Sequence, residues 1–455
     1  MKCYGVKLPA GFVGLAGCVL LLLAAVSPAQ EIRKALPVDA AKTADDQSLD
    51  LDACFQLAAI RSDTLAISAQ DIVAAQASYR QAIASLFPTV NFVNSQNFFN
   101  KTGAQIQDNR VVSGRSYSSY NAITGNVTLF DGFANTNRIG AAKEQVLADR
   151  YTLSRAYQTL YQNVALAFYN ILQYERDLEI LNDLQKAYQD QVKELERRVK
   201  IGRSRPADLL QGQANMATNN VAIEQMRGAL AAARENMAFY IGKPANDFKL
   251  RDTLPFPTAG VIEAYLTKLG DRPDILSAVA SMRSAERQLS VAKGARWPQV
   301  SLNGNYYLAQ DPSSDQEYSF GFTISLPIFD GGLINAQIRQ QQAVFTQSQL
   351  QVDELRREAD QDLRSVFASF NSSLGQTFEA EEAARVSQLY YEAVKDDYTH
   401  GVAAYLDVIT AQQTYFQNRR AYADADANAR LNLIQLHVAA GTVKTGANDE
   451  TVTKK

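Results

Sequence analysis

The sequence predicts a mainly α-helical fold with a small β part, in which one structural unit occurs twice. Residues 141–201 contain no glycine or proline, and their apolar residues recur at steps of three and four, as in a coiled coil. Short segments after Pro88 and Pro298 alternate apolar and polar residues, which is the period of a β-strand. The tripeptide Phe-Asp-Gly at 130–132 returns at 329–331, which indicates an internal duplication.

Composition argues against several classes of protein. The chain has 455 residues, with 45 Lys and Arg against 48 Asp and Glu, and a nucleic-acid-binding protein usually carries a basic excess. Two histidines and three cysteines are too few to suggest a His/Cys metal site or a disulfide framework. We therefore expect no metal site, no other cofactor and no nucleic-acid partner.

The N-terminus is predicted to be an export signal. Lys2 and Lys7 precede an apolar run at 12–26, and residues 27–29 supply the small side chains of a cleavage site after Ala29. A second interpretation stays open, because Leu-Ala-Gly-Cys ending at Cys18 has the form of a bacterial lipobox, in which Cys18 would be lipidated. The apolar run is short for a membrane span, and no later stretch is long enough to be one.

Each copy of the repeat is predicted to hold a helix, two strands, a very long helix, a turn and a return helix. A constant offset of 199 residues connects Gly202 with Gly401 and Asp208 with Asp407. The offset is 210 at Pro88, so the first copy has a longer loop between its two strands. The two glycines would end the long helices as C-caps.

The repeats set the predicted boundaries along the chain. In order, the predicted segments are a signal peptide at 1–29, a linker at 30–49, a first repeat at 50–241 with strands at about 89–98 and 120–129 and a turn at 202–206, an excursion at 242–271, a second repeat at 272–441 with strands at 299–309 and 317–327 and a turn at 400–404, and a polar tail at 442–455. The long helices are expected at 141–201 and 333–400.

The predicted strands carry a membrane signal. The side chains expected to face lipid are Val300, Leu302, Tyr306, Leu308, Phe320, Phe322, Ile324 and Leu326. Polar residues fill the other face, as in strands with lipid on one side and a lumen on the other. A soluble sandwich with one wet face is the alternative. An open sheet edge is not stable in lipid, so four strands per chain predict partner chains, and three copies would give twelve strands.

In order, spacing and duplication, the Pro-strand-strand-Phe-Asp-Gly-helix unit and the two Gly-x5-Asp turns resemble the TolC family of outer-membrane efflux channels over roughly 50–441. The resemblance implies a homotrimer with a twelve-stranded barrel in outer-membrane lipid, above long helical hairpins that form an α-barrel in the periplasm. It implies an exit duct of a tripartite efflux or type I secretion system, joined by a periplasmic adaptor protein to an inner-membrane pump. It implies no enzyme and no catalytic residue.

The resemblance also assigns a periplasmic aperture to the two turns. By position, Asp208, Asp407 and Tyr398 match aperture residues of the family. Gln211 and Thr410 stand where the family often has a second acidic residue, which leaves a doubled acidic ring in doubt.

Charges differ between the turns, since Arg203 and Arg205 lie at the first, and Asp396 and Asp397 at the second. Two interpretations stay open: solvated helix ends, or opposite charges that pair around the ring and hold the aperture closed.

Gly202 and Gly401 are expected to face the adaptor protein. An alternative class for the whole chain is a periplasmic structural or adaptor coiled coil without a pore. That class explains the long helices and the export signal, but it does not explain the alternating strands or their duplication.

Overall fold

The computed structural model describes residues 48–98, 105–107, 110–112, 117–258, 260–311 and 317–443. The predicted signal peptide, Cys18 and most of the predicted linker and tail lie outside the described residues. Long helices dominate the described part and a small antiparallel sheet accompanies them, so the predicted fold class is confirmed.

The helices and strands follow the predicted order. The helices are α1 (Leu51–Arg61), α2 (Asp63–Ala84), α3 (Ala134–Lys200), α4 (Pro206–Ile241), α5 (Ile262–Leu266), α6 (Pro273–Gly294), α7 (Leu333–Thr399) and α8 (Tyr405–Ala439). The strands are β1 (Ser48–Leu49), β2 (Thr89–Phe98), β3 (Gln105–Gln107), β4 (Arg110–Val112), β5 (Tyr117–Phe130), β6 (Lys249–Leu250), β7 (Gln299–Asp311) and β8 (Tyr318–Ser325).

The two long helices are equal in length, with 67 residues each, which corresponds to about 100 Å. Helix α3 begins at Ala134, seven residues before the predicted start, and runs through Gly140. The prediction began the helix after Gly140, because a glycine weakens a helix locally. In the structure α6 packs closely on α3 at this position and supports the helix: a Cβ at Gly140 would lie 3.4 Å from the Arg287 side chain of α6. Helix α7 ends one residue before the predicted end.

The main sheet has the strand order β2-β5-β7-β8, with antiparallel neighbours throughout. The hairpins of the two repeats therefore meet through β5 and β7. Strands β5 and β7 are longer than predicted, and a register shift beside Leu308 interrupts their pairing. Strand β8 ends at Ser325, so Leu326 lies beyond it, because the following Pro327 has no N–H to continue the ladder.

Two short pairings lie outside the predicted pattern. The longer loop of the first repeat holds a small hairpin of β3 and β4. Strand β1 pairs in parallel with β6, so the end of the predicted linker is part of the fold and anchors the excursion. The sequence did not predict this pairing, because two segments 200 residues apart leave no local signal of their contact.

The largest apolar core lies around the middle of α3, where Val164, Phe168 and Ile171 are buried against α1 and the end of α4. A second cluster joins α7, α8 and the excursion, with Phe370 and Leu436 at its centre. Among the described helices, none combines the length and apolarity that crossing a membrane requires.

Candidate functional site

One face of the sheet is apolar and open. The β7–β8 register places Val300 opposite Ile324 and Leu302 opposite Phe322. Phe320 and Ile324 are 75% and 71% exposed, although both are large apolar side chains. Leu308 and Leu326 are also exposed, but they lie at the register shift and beyond β8 respectively. The apolar residues within the regular β7–β8 ladder thus share one face of the sheet, and no other described part of the chain covers its exposed side chains.

The opposite face of the sheet carries a ladder of amides and hydroxyls. Asn126 donates to the side chain of Asn303 at 2.8 Å, and Asn303 donates to Thr323 at 3.0 Å. Asn305 donates to Ser319 at 3.2 Å one step further along the strands. The sheet therefore separates an apolar surface from a polar, hydrogen-bonding one.

The first turn, residues 201–205, joins α3 to α4. Gly202 has a φ of 74°, the left-handed conformation that glycine adopts without strain. The Asp208 carboxylate accepts hydrogen bonds from the Arg205 backbone N–H at 3.3 Å and from its guanidinium at 2.8 Å. The hydrogen bond to Asp208 raises the pKa of Arg205. Asp208 thus caps α4 and neutralises Arg205 within one turn.

The second turn, residues 400–404, joins α7 to α8 in the same way. Gly401 has a φ of 82°, and the Asp407 carboxylate accepts a hydrogen bond from the Ala404 N–H at 3.0 Å. Asp396 and Asp397 are exposed at the end of α7. Both turns therefore have the same arrangement, a left-handed glycine followed six residues later by a capping aspartate. Each aspartate thus has a structural role within its own turn.

An arginine of the first hairpin contacts a tyrosine pair of the second. The Arg198 guanidinium lies 4.5 Å from the centre of the Tyr398 ring, and the Tyr398 ring lies 6.1 Å from that of Tyr405. Both tyrosine hydroxyls are buried without a hydrogen-bond partner. Burial is the main cause that raises the pKa of Tyr405 to about 12. Sequence reasoning singled out Tyr398 and counted Arg198 among the basic residues of the first turn, but it did not predict that the two side chains meet.

The predicted basic and acidic residues do not pair within one chain. Across the described residues, no ion pair joins Arg203 or Arg205 to Asp396, Asp397 or Asp407. Arg205 is engaged by Asp208 instead, which leaves Arg203 and the acidic residues of the second turn at the surface.

The family of outer membrane efflux proteins matches this chain over residues 54–243 and 266–442, which include both hairpins and the sheet. The chain belongs to the outer membrane efflux protein family. The outer membrane efflux protein BepC of Brucella suis is 24% identical over 341 residues, covering 69% of this chain and 75% of BepC. The cation efflux system protein CusC of Escherichia coli is 24% identical over 84% of each chain.

A solved structure has the same fold. The outer membrane protein VceC of Vibrio cholerae superposes with a TM-score of 0.76 at 20% identity, covering 86% of this chain and 96% of VceC. As a member of the family, the chain is an outer-membrane exit channel whose helical part lies in the periplasm. The relatives are channels rather than enzymes, and the alternative of a coiled coil without a pore is wrong. Within the described ranges, no group of three or more His, Cys, Asp or Glu residues could hold a metal ion.

Proposed function

We propose that three copies of the chain assemble into one continuous duct, with four strands from each copy closing a twelve-stranded barrel. The observation that carries the proposal is the open sheet: β2 and β8 are edge strands, and the apolar face beside them is exposed. An unpaired edge is costly in lipid, and closure with neighbouring copies removes both edges. The polar ladder around Asn303 would then line the lumen.

The two turns of each chain would form the periplasmic aperture. Asp208 and Asp407 cap their helices, and Tyr398 bridges the two hairpins through Arg198. Arg203, Asp397 and Asp407 have no ionic partner in the described part of the chain, and the Asp396 carboxylate lies 3.6 Å from His400 at the same exposed turn. These charges are therefore available to a neighbouring copy. Opposite charges repeated around a three-fold ring would hold the aperture closed, most strongly at low salt.

Charge reversal tests the aperture. Changing Arg203 and Arg205 to Glu should raise the conductance of the channel in planar bilayers at low salt, because the turns then repel. Changing Asp396, Asp397 and Asp407 to Lys in the same chain should restore the closed state. Unchanged conductance in the Arg203→Glu, Arg205→Glu variant would contradict an electrostatic aperture.

The adaptor protein of the export system would dock at the turns, beside Gly202 and Gly401. No atom lies within 4 Å of the place that a Cβ would take at either glycine. Val402 and Leu406 are exposed apolar residues at the second turn, and Ile201 is exposed at the first. Small residues beside exposed apolar ones leave room for a partner hairpin. The inner-membrane pump would complete the path from the inside of the cell.

A bulky residue at the turn tests this docking. Gly401→Trp should leave the trimer intact but remove the adaptor from the complex, measured by chemical cross-linking in the native host and mass spectrometry of the purified channel. Gly270→Trp is the matched control, since Gly270 is exposed in the excursion, away from the turns and the long helices, with open space around it. Equal cross-linking by both variants would contradict docking at Gly401.

A further inference from the structure

A recess of about 900 Å³ lies where α1, α2 and α3 meet the end of α4 and the start of α6. Its apolar wall includes Leu65, Leu160 and Phe239, and Phe239 is 74% exposed although its side chain is a large aromatic one. The ring of Tyr240, which also lines the recess, stands edge-on to the Phe239 ring at 5.5 Å. A recess of this volume with an aromatic wall has the dimensions of a site for a small organic molecule.

Several polar groups of the recess already have partners within the chain. The hydroxyls of Thr152 and Ser277 share a hydrogen bond of 3.0 Å. Arg155 donates to the Val438 carbonyl at 3.2 Å, and its guanidinium lies 3.7 Å from the Asp274 carboxylate. These groups therefore hold the walls of the recess together.

Two other side chains of the recess keep unused hydrogen-bond donors. Arg61 and Asn163 line it together, and both are exposed. Within the described residues, neither side chain forms a hydrogen bond, and no acidic residue forms an ion pair with Arg61. The Arg61 side chain lies over Gly242, where a Cβ would come 2.6 Å from the Nη1 atom of the guanidinium. The recess thus has a cation and an amide whose donors have no acceptor in this part of the chain.

The equivalent arginine of the second repeat shows which acceptor suits this place. Arg272 lies over Gly441 in the same way, and it is nearly buried. Its guanidinium binds the carboxylates of Asp274 at 2.7 Å and Asp362 at 3.3 Å. An arginine in this position of the repeat is therefore neutralised by carboxylate oxygen atoms that the chain itself supplies.

The first repeat supplies neither carboxylate to its arginine. At the offset of 211 residues Asp63 corresponds to Asp274, and at the offset of 199 residues Asn163 corresponds to Asp362. Asp63 lies in the first turn of α2, where the helix dipole stabilises its charge, and it forms no ion pair among the described residues. Asn163 has the shape of an aspartate without the charge. One carboxylate fewer therefore stands beside the arginine, and the recess adjoins this position.

We infer that the recess binds a small organic anion, a carboxylate attached to an apolar ring. The carboxylate accepts hydrogen bonds from the Arg61 guanidinium and the Asn163 amide, in the place that Asp362 takes in the second repeat. The ring lies against Phe239 and Leu160. A charge-assisted pair supplies specificity, and burial of the ring supplies further affinity. The inference goes beyond the proposed function and does not depend on assembly, because one chain supplies every lining residue.

Equilibrium dialysis of the detergent-purified full chain tests the inference, with 2-naphthoate as the probe and neutral 2-naphthamide as its matched ligand. We expect naphthoate to bind at least about tenfold more tightly than naphthamide, as a hydrogen bond to a charged group would give. Arg61→Gln should remove this preference. Asn163→Asp should remove it as well, because the new carboxylate takes the place of the ligand's. Arg80→Gln is the matched control at the far end of α2 and should bind as the native chain does.

Reversing the charge of the site gives a second test. Arg61→Glu should lose affinity for naphthoate and gain affinity for the 1-naphthylmethylammonium cation. Equal binding of naphthoate and naphthamide by the native chain, or unchanged naphthoate binding in Arg61→Gln, would overturn the inference. A native trimer that does not bind naphthoate would overturn the inference and leave the proposed channel intact. A monomeric chain that binds naphthoate would contradict the proposed assembly alone.

Discussion

The two repeats differ most clearly where their return helices end. In the second repeat, Arg272 is only 4% exposed, binds Asp274 at 2.7 Å and Asp362 at 3.3 Å, and donates to the Ala439 carbonyl at 3.1 Å. Arg272 lies against Gly441, the left-handed glycine that follows α8. The arginine therefore ties the C-terminal end of α8 to both α6 and α7.

In the first repeat the corresponding arginine and glycine lie together in the same way, but the ion pairs of the arginine are missing. Arg61 lies against Gly242, which follows α4 with the same left-handed conformation. Arg61 is nevertheless exposed and forms no ion pair in the described part of the chain, and Asn163 stands where the second repeat has Asp362. The two repeats thus share a backbone arrangement, but they differ in the ion pairs and hydrogen bonds that this arginine forms. The second repeat therefore has both the backbone arrangement and its ionic contacts, whereas the first repeat has the backbone arrangement alone.

The largest expected effect comes from removing the buried arginine. Arg272→Ala leaves the Asp274 carboxylate with only Arg155, at 3.7 Å, as its cationic neighbour and removes the partner of the end of α8. The substitution should lower the free energy of unfolding by about 3 kcal/mol. Arg61→Ala is the matched variant and should cost less than about 1 kcal/mol, because the side chain is exposed and unpaired. Chemical denaturation of the two purified variants measures the difference. Equal losses would break the comparison between the repeats.

The glycines before the long helices give a second contrast. A Cβ at Gly132 would clash with the Gly294 carbonyl oxygen and lie 2.8 Å from Trp297, whereas no atom lies within 4 Å of the same place at Gly331. Both glycines have a φ of 66°, so an alanine would introduce the same backbone strain at each position, and this strain cancels when the two variants are compared. Gly132→Ala should cost about 1–3 kcal/mol more than Gly331→Ala. If chemical denaturation gives both variants the same free energy of unfolding, the close contact at Gly132 does not contribute to stability.

Exchanging Asp362 and its counterpart Asn163 between the two repeats should have a smaller effect on stability. Asp362→Asn gives the second repeat the residue of the first, and should destabilise the protein by less than about 1 kcal/mol because the Asp362 carboxylate is half exposed. Asn163→Asp should stabilise by a similar small amount by giving Arg61 a partner. Opposite signs in thermal denaturation would sharpen the comparison, and the same sign would contradict it.

Acid gives the smallest effect. Burial alone would raise the pKa of Asp274, but Arg272 and Arg155 overcome it and hold the pKa below its ordinary value of 3.8. A carboxylate with a lowered pKa stabilises the folded state above its ordinary pKa, and this contribution is lost as the pH falls through the lowered value. The stability difference between the native chain and Asp274→Asn should therefore shrink below pH 3.8. A difference that stays constant in strong acid would contradict this.

Much of this fold was accessible from the sequence because its signals are periodic. Strand β2 covers the predicted residues, and the second turn lies at the predicted 400–404, since alternation and a glycine after a long helix are local features. The start of α3 was predicted too late, because Gly140 weakens the helix locally while α6 supports it. The pairing of β1 with β6 was missed because it joins distant segments.

The functional residues divide along the same line. Asp208 and Asp407 could be found from their spacing to the turn glycines, and both cap their helices. The contact of Arg198 with Tyr398 and the pair of Asp177 with Arg420 could not be found in this way. Each joins residues 200 or more positions apart in the sequence, and only the packing of their helices reveals which of many charged residues meet.

The central claim is that three copies form one channel, and the most direct measurement combines size with conductance. The detergent-purified protein should have the mass of three chains, convert to monomer on heating, and produce discrete conductance steps in planar bilayers. A monodisperse monomer that forms no conductance would contradict the account, because a single four-stranded sheet with an exposed apolar face cannot close a pore.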